Sequence, residues 1–351
     1  MKDVVEKQSL YLPTQGSWMH IWTKPKFKFG HSLHCNGVKF TNLVEPNSPQ
    51  AETDMFRWLF TRKVPKWENE SIEVHHASLH EKKIVPEARP HAHLKDWQVW
   101  FVGHATVLLQ IGPYNFLTDP VWCDYAGPIH RTGAKRVCPA GLRLDELPKI
   151  DAVLLSHNHY DHMDLATLNW LHDKFGMMIY TGLGNAWYLP RHFHVTEMDW
   201  WQTVNFKELK IVYTPAQHGS GRGFRDQNHA LWGGFSLLYQ DQHCFFAGDT
   251  GYSRHFKEIK QKFGAPRIAM LPIGGYAPRE LMRYMHMDPE DAFQAHKDLQ
   301  AKSSLAIRYR TFQLTDESRE QPEIELHKAM RHSSKLVNPF YCIREGKKII
   351  V

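Results

Sequence analysis

Apolar residues recur along this chain in short runs that stop abruptly at polar ones, and from Trp97 onward those runs organise the sequence. "QVWFVGHATVLLQIG" followed by "PYNFLTD" reads as two β-rich runs joined at Gly112-Pro113, a hairpin signal. "DAVLLS" is a short apolar run ending at a histidine cluster and predicts a buried strand. In "DLATLNWLHDKFG", Leu165, Leu168, Leu171 and Phe175 fall at helical spacing, and Gly176 stands where a left-handed terminating residue belongs. Further strands are expected at "LKIVYTPAQH", "FSLLYQ", "HCFFAGD", "RIAMLPI" and "SLAIRYRTF". Between the last two, "MDPEDAFQAHKDLQ" carries Asp288 as N-cap, Pro289 at the first helical position and Asp291 at the third. Strands alternating with helices, plus hairpins, predict an α/β or α+β layered fold without internal repeats.

Residues 1–95 are rich in Pro, His and aromatic residues but lack sustained periodicity, and read as an extension packed on a core domain of residues 96–351. One short helix is expected at residues 54–62, "DMFRWLFTR", with Phe56, Leu59 and Phe60 on a face that packs against the core. It is short for a membrane-contact helix.

Composition narrows the class. With 42% hydrophobic and 23% charged residues over 351 positions, the chain suits one large globular domain and excludes disordered, collagen-like and membrane-embedded descriptions of the whole. The net charge of +6 counts 24 histidines as neutral, so the balance depends on pH and on bound metal. A mild basic excess favours anionic partners without choosing among them. Cys35, Cys123, Cys138, Cys244 and Cys342 are scattered with no C-x-x-C pair, which argues against a disulfide framework and for a reducing compartment. The amino terminus shows no signal-peptide pattern, and no segment approaches the ~20 apolar residues of a membrane span. The expected location is cytoplasmic, with peripheral membrane contact left open.

His157, His159, Asp161 and His162 spell H-x-H-x-D-H directly after an apolar strand. Two histidines one residue apart in an extended loop converge on one cation, while the following Asp and His turn toward a neighbouring position; imidazole and carboxylate suit zinc. "IVYTPAQH" ends in His218 and "CFFAGDTG" carries Asp249, so two more apolar strands deliver ligand-type residues at their carboxyl ends, where sites assemble in layered α/β sheets.

These residues resemble those of the metallo-β-lactamase superfamily. "WFVGHATVLLQI", "FLTDPVW", "LPKIDAVLLSHNHYDH", "MDWW", "TPAQH", "LWGGFSL", "FFAGDTGY" and "MHMDPEDAFQAH" are similar in order to segments of the N-acyl phosphatidylethanolamine-hydrolysing phospholipase D group and its bacterial relatives, over roughly residues 97–330. The resemblance implies an α/β fold, an αββα sandwich of two mixed β-sheets flanked by helices, with one or two zinc ions. One zinc would take His157, His159 and His218. The second would take Asp161 and His162, with Asp249 bridging. It also implies a phospholipid substrate, N-acyl phosphatidylethanolamine or a relative, cut to phosphatidic acid and an N-acylethanolamine. Asp161 and Asp249 would orient water and accept its proton, and His286 would stabilise charge.

One position departs from that pattern. Where the family supplies a further histidine to the second zinc, this chain has Arg308 in "AIRYRTF". A guanidinium has no lone pair and stays protonated. At ~4 Å and an effective dielectric of ~20, it would repel a dication by about 8 kcal/mol. Three readings follow: Arg308 pairs with Asp161 or Asp249 as a fixed cation and clamps a substrate phosphate, the site has lost hydrolysis, or Arg308 points elsewhere. Gly219, in the glycine-rich "GSGRG", stands where the family has Trp, Met285 where mammalian members have Gln, and Glu280 where an aromatic is usual. The glycine-rich segment reads as flexible structure rather than a phosphate cradle. Trp122, Trp187, Tyr188 and Trp200 are candidates to meet acyl chains, although clustered aromatics more often form core.

The leading reading is a zinc-dependent phosphodiester hydrolase of phospholipids, mononuclear if Arg308 blocks the second position. The alternatives are a catalytically impaired relative that binds lipid or a partner, and another hydrolase of the same fold. A nucleic-acid substrate is not expected, because no dense basic patch interleaves with stacking aromatics. Oligomeric state is not legible, and a homodimer is only the commonest arrangement.

Overall fold

The computed structural model describes residues 22–25, 29–44, 57–58, 60–62, 65, 67, 85–88, 96–129, 131–333 and 338–351. In chain order its strands and helices begin with β1 (Gln98–Gly103), β2 (Thr106–Ile111), β3 (Tyr114–Thr118), β4 (Tyr125–Ala126), β5 (Ala134–Lys135) and β6 (Ala152–Leu155). They continue with α1 (Leu165–Phe175), β7 (Met178–Gly182), β8 (His194–Met198), β9 (Thr203–Phe206), β10 (Leu209–Thr214), β11 (Gly234–Tyr239) and β12 (Gln242–Phe246). The remainder is α2 (His255–Phe263), β13 (Ile268–Pro272), the short α3 (Arg279–Met282), α4 (Pro289–Leu299), β14 (Ser304–Ile307), α5 (Gln321–Arg331), β15 (Phe340–Tyr341) and β16 (Lys348–Ile350).

Among the described residues these strands form two seven-stranded sheets, ordered β16-β1-β2-β3-β6-β7-β8 and β9-β10-β11-β12-β13-β14-β15, while β4 and β5 pair with each other. In each, three antiparallel pairings are followed by three parallel ones. The sheets are mixed and flanked by helices, as expected for an αββα sandwich.

Two-residue periodicity explains the uninterrupted apolar runs. In β1, Val99 and Phe101 face the core shared with Ile211, Tyr213, Phe235 and Leu237 of the second sheet. Trp100 and Val102 face the opposite side, with Leu165, Leu168 and Leu171 of α1. A strand covered on both faces has no polar face to alternate with. On the far side of the second sheet, Ala292, Phe293, Ala295 and Leu299 of α4 pack near β13.

The first apolar run is not one strand. It breaks at His104, which has a φ of 54°, so that β1 and β2 form a hairpin of their own before the expected one at Gly112-Pro113. The helix at residues 54–62 is only partly within the described residues: Arg57, Trp58, Phe60 and Thr61 are helical, while Phe56 and Leu59 lie outside them. Phe60 is 87% exposed rather than packed on the core. The segment is tied down through Trp58 and Arg62, whose side chains both reach Asp316 (2.5 and 2.9 Å). Phe29 and Phe40, from the described part of residues 1–95, join the core. All five cysteines are free, and no helix among the described residues is long and apolar enough to cross a membrane.

Asp164 starts α1 and anchors a second segment. Its side chain accepts from the N–H groups of Ala166 and Thr167, the Thr167 hydroxyl, and the N–H groups of Trp122 (3.1 Å) and Cys123 (3.0 Å). Gly176, at a φ of 60°, closes the helix as expected. Asp164→Ala removes the cap together with the acceptor of the half-buried Trp122 and Cys123 N–H groups, so it is expected to lower unfolding stability by roughly 1–3 kcal/mol in chemical denaturation.

Candidate metal centre

The site is assembled from strand ends. Six strands stop at the same edge of the sandwich and hand over polar residues: β1 to His104, β3 to Asp119, β6 to the loop carrying His157, His159, Asp161 and His162, β10 to His218, β12 to Asp249 and β14 to Arg308. Asp249 gets there through Gly248, whose φ is 62° and whose Cβ would lie 2.8 Å from both the Gly233 carbonyl oxygen and Ser156. Only glycine allows that turn.

His157, His159 and His218 form one focus. His157 Nε2 lies 2.8 Å and His218 Nε2 lies 3.2 Å from His159 Nδ1. Their other contacts decide the tautomers. His218 Nδ1 donates to the Met285 carbonyl oxygen at 2.9 Å. His157 Nδ1 lies 2.8 Å from the Ser156 hydroxyl, which donates to Asp119 Oδ2 at 2.6 Å, so the imidazole is the donor in that contact. The Nε2 atoms of both rings therefore present lone pairs inward. Burial, reinforced by neighbouring rings, holds His157 well below the ordinary imidazole range and lowers His159 to about 3; burial lowers His218 to about 4. Three neutral imidazoles cannot satisfy one another at this spacing with a single proton among the inward nitrogens. The donor set fits a divalent metal, and the cluster suggests one.

Beside it, Asp161, His162 and Asp249 form a second focus that includes Arg308. His162 Nε2 lies 3.3 Å from Asp161 Oδ2 and 3.2 Å from Asp249 Oδ2, while its Nδ1 donates to Asp119 Oδ2 at 2.6 Å. Arg308 Nε donates to Asp249 Oδ2 at 2.5 Å, its NH1 donates to the Gly274 carbonyl oxygen at 3.1 Å, and its NH2 lies 3.7 Å from Asp161 Oδ2. Burial opposes charge on both carboxyls, yet Arg308 and His162 hold Asp249 well below the usual carboxylate range, and His162 and His104 do the same for Asp161. His286 sits at the rim, its ring centroid 4.9 Å from that of His218 and its Nδ1 3.9 Å from Asp249 Oδ2. Burial first, then Arg308 and His218, keep it neutral.

The candidate ligand and catalytic side chains from the sequence, His157, His159, Asp161, His162, His218, Asp249, His286 and Arg308, thus lie together in this cluster. Three supporting residues escaped notice there. His104 hydrogen-bonds Asp161 Oδ2 through Nε2 (2.9 Å), and Asp119 ties Ser156 to His162. Both fall within quoted motifs; a polar residue at the end of an apolar strand was the available signal. Asn42 brackets the His218 backbone, donating to its carbonyl oxygen at 2.7 Å and accepting from its N–H at 2.9 Å. Nothing local in "FTNLV" announces that role.

The glycine-rich segment is not the loosely held structure expected. Arg222 is buried, donates to the carbonyl oxygens of Asn158 (2.8 Å) and Met163 (2.9 Å), and lies 3.9 Å over the Tyr160 ring, clamping the histidine loop. Tyr188 and Trp200 are buried in the core, and Trp122 and Trp187 pack against it, so these aromatics have the packing role rather than an open acyl-contact one.

The chain is 34% identical over 245 residues to N-acyl-phosphatidylethanolamine-hydrolyzing phospholipase D 1 of Caenorhabditis elegans, covering 66% of this chain and 68% of that protein. It is 36% identical over 222 residues to the mitochondrial N-acyl-phosphatidylethanolamine-hydrolyzing phospholipase D of Saccharomyces cerevisiae, covering 60% and 47%. An uncharacterized Mycobacterium tuberculosis protein shares 37% identity over 223 residues, covering 61% and 59%. The chain therefore spans about two thirds of the nematode relative but only about half of the yeast one. Among solved structures, Igni18, a metallo hydrolase from Ignicoccus hospitalis, superposes with a TM-score of 0.55 at 19% identity, covering 73% of this chain and 99% of that one. An isothiocyanate hydrolase from Delia radicum gut bacteria gives 0.53 at 21% identity, covering 72% and 98%. At these identities the structures speak to fold alone. A family model described as the beta-lactamase superfamily domain matches residues 114–309, more than half of the sequence. The chain belongs to the metallo-β-lactamase superfamily, as a hydrolase of that fold with N-acyl-phosphatidylethanolamine-hydrolyzing phospholipases D among its relatives.

Proposed function

We propose that this protein is a zinc-dependent phosphodiesterase that cleaves N-acyl phosphatidylethanolamine-type phospholipids in the phospholipase D manner. The observation that carries the reading is the convergence of His157 Nε2, His159 Nδ1 and His218 Nε2 beside the carboxylates of Asp161 and Asp249, in a chain 34% identical to the nematode phospholipase. Three imidazoles are a donor set that zinc favours. Held there, zinc lowers the pKa of a water toward ~7 and polarises a phosphoryl oxygen.

The chain's own residues do the rest. Asp249 Oδ2 is engaged by Arg308, which leaves the buried Oδ1, without a hydrogen-bond partner among the described residues, to orient the attacking water. Asp161 shares that task and the acceptance of the proton. The water oxygen bonds to phosphorus as the bond from phosphorus to the ethanolamine oxygen breaks, and that oxygen takes up a proton; the products are phosphatidic acid and an N-acylethanolamine. His286, neutral at the rim, offers an N–H to developing charge. Arg308 contacts a phosphate oxygen. A bilayer-resident substrate would bring this edge of the sandwich to a membrane surface.

The second reading, a catalytically impaired relative that binds lipid or a partner, is favoured by one observation: Arg308 already occupies an oxygen of Asp249. An assay of N-acyl phosphatidylethanolamine hydrolysis in mixed micelles separates the two. Zinc-loaded protein is expected to turn over, to lose more than about 100-fold of its rate on chelation and to regain it with zinc. No turnover at full zinc occupancy would sink the catalytic reading. His157→Ala is expected to bind less zinc and to lose activity in parallel, checked by metal analysis of the purified variant.

Asp119 supports the site from behind, through Ser156 and His162. Asp119→Asn is expected to weaken zinc about 10–100-fold in competition with a chelating dye. An unchanged affinity would remove Asp119 from the supporting role.

A further inference from the structure

We infer that Arg308 and Gly275 form a matched pair that fixes a guanidinium where the fold would otherwise place a second metal ion, so that this chain holds one metal and presents Arg308 in the second's stead. The inference rests on reading His157, His159 and His218 as the ligands of the metal that remains.

The carboxylates come first. Of the groups facing this side of the site, Asp249 receives Arg308 Nε at 2.5 Å and Asp161 lies 3.7 Å from Arg308 NH2. A guanidinium has no lone pair to share with a metal and no accessible deprotonated form. A dication drawing on the same two carboxylates would meet it within a few ångströms, in a site where Arg308 is only 6% exposed and screening is weak.

Space comes second. A Cβ added at Gly275 would lie 1.7 Å from Arg308 NH1 and 2.8 Å from its Cζ, so no other residue is compatible with the guanidinium where it stands. A Cβ at Gly274 would fall 2.4 Å from the Arg308 carbonyl oxygen, and the Gly274 carbonyl accepts from NH1. The loop after β13 is therefore shaped to the arginine. It is held in that shape by Glu317, whose Oε1 accepts from the Gly275 N–H at 2.5 Å and whose Oε2 accepts from the Ala277 N–H at 3.1 Å.

The backbone comes third. Arg308 has a φ of 61°, a region that side-chain-bearing residues seldom take, and it is pinned there by donating its N–H to the His104 carbonyl oxygen at 2.8 Å. The strand end, the glycine loop and the hairpin turn all agree on one position for this side chain. NH1 and Nε are engaged by protein, whereas NH2 lies beyond hydrogen-bonding range of Asp161, which leaves it for an anionic oxygen of the substrate.

Metal analysis by mass spectrometry, together with thermal melts, tests this on four proteins: wild type, Arg308→His, Gly275→Ala and the double variant. Wild type is expected to hold about one zinc per chain and Arg308→His about two, the imidazole completing a set with Asp161, His162 and Asp249. A φ of 82° at Gly275 penalises alanine in every background, so only the difference between backgrounds reports the contact. Gly275→Ala is expected to lower the Tm about twice as much with Arg308 present as with histidine there. Two zinc ions in wild type, a count still near one in Arg308→His, or equal Tm losses in the two backgrounds would each overturn the pairing. The wild-type count needs no substitution, and none of these measurements uses a substrate. Failure to cleave phospholipid and failure of this inference are therefore separate results.

Discussion

The histidine loop hangs from one buried carboxylate. Asp119 accepts from the Ser156 N–H, the Ser156 hydroxyl and His162 Nδ1 at 2.6–2.7 Å, and it is wholly inaccessible. Burial pushes this carboxyl upward in pKa, against the pull of His162 and Ser156. A charged group in such a place is tolerable only because its hydrogen-bonding capacity is used. The consequence runs outward: Ser156 orients His157, His162 is aimed between Asp161 and Asp249, and the loop leaves β6 on a fixed path toward Arg222, which grips its far end. Preorganisation of this kind is what allows several histidine lone pairs to be held together without collapse.

How much of this was legible in the sequence follows from the range of each interaction. H-x-H-x-D-H, the strand ends carrying His218 and Asp249, and the caps of α1 and α4 are local patterns, and all are where the spacing put them. The hairpin turn at His104 was invisible because Gly103-His104-Ala105 carries no strong turn signal and apolar residues continue on both sides. Asp119 and Asn42 were missed as supports because their partners lie 37 and 176 residues away. Phe60 was misjudged since helical spacing names a face without saying what covers it. The glycine-rich segment looked pliant by composition, yet one arginine within it fills the space under the loop.

Arg308 shows the limit most clearly. Its departure from the family pattern was readable from one letter, and the physical consequence for a neighbouring dication followed from charge alone. Which carboxylate it meets was not readable, nor that the loop after β13 is hollowed around it, because that depends on two strand ends brought side by side. Similarly, the sequence shows no repeat, although both sheets run through three antiparallel and then three parallel pairings. Strand direction is preserved by topology, which constrains residue identity far less than residue type at a site does.

Asn42 gives the domain boundary a different meaning. Its side chain forms a two-bonded bracket on the backbone of His218, and Val44 and Gln217 extend it by exchanging hydrogen bonds of 2.5 and 3.1 Å. The family-matched segment begins only at residue 114. The unit that positions the histidines is therefore larger than the segment by which the family is recognised, and Asn42 and Val44, far ahead of that segment, act as part of the wall of the centre.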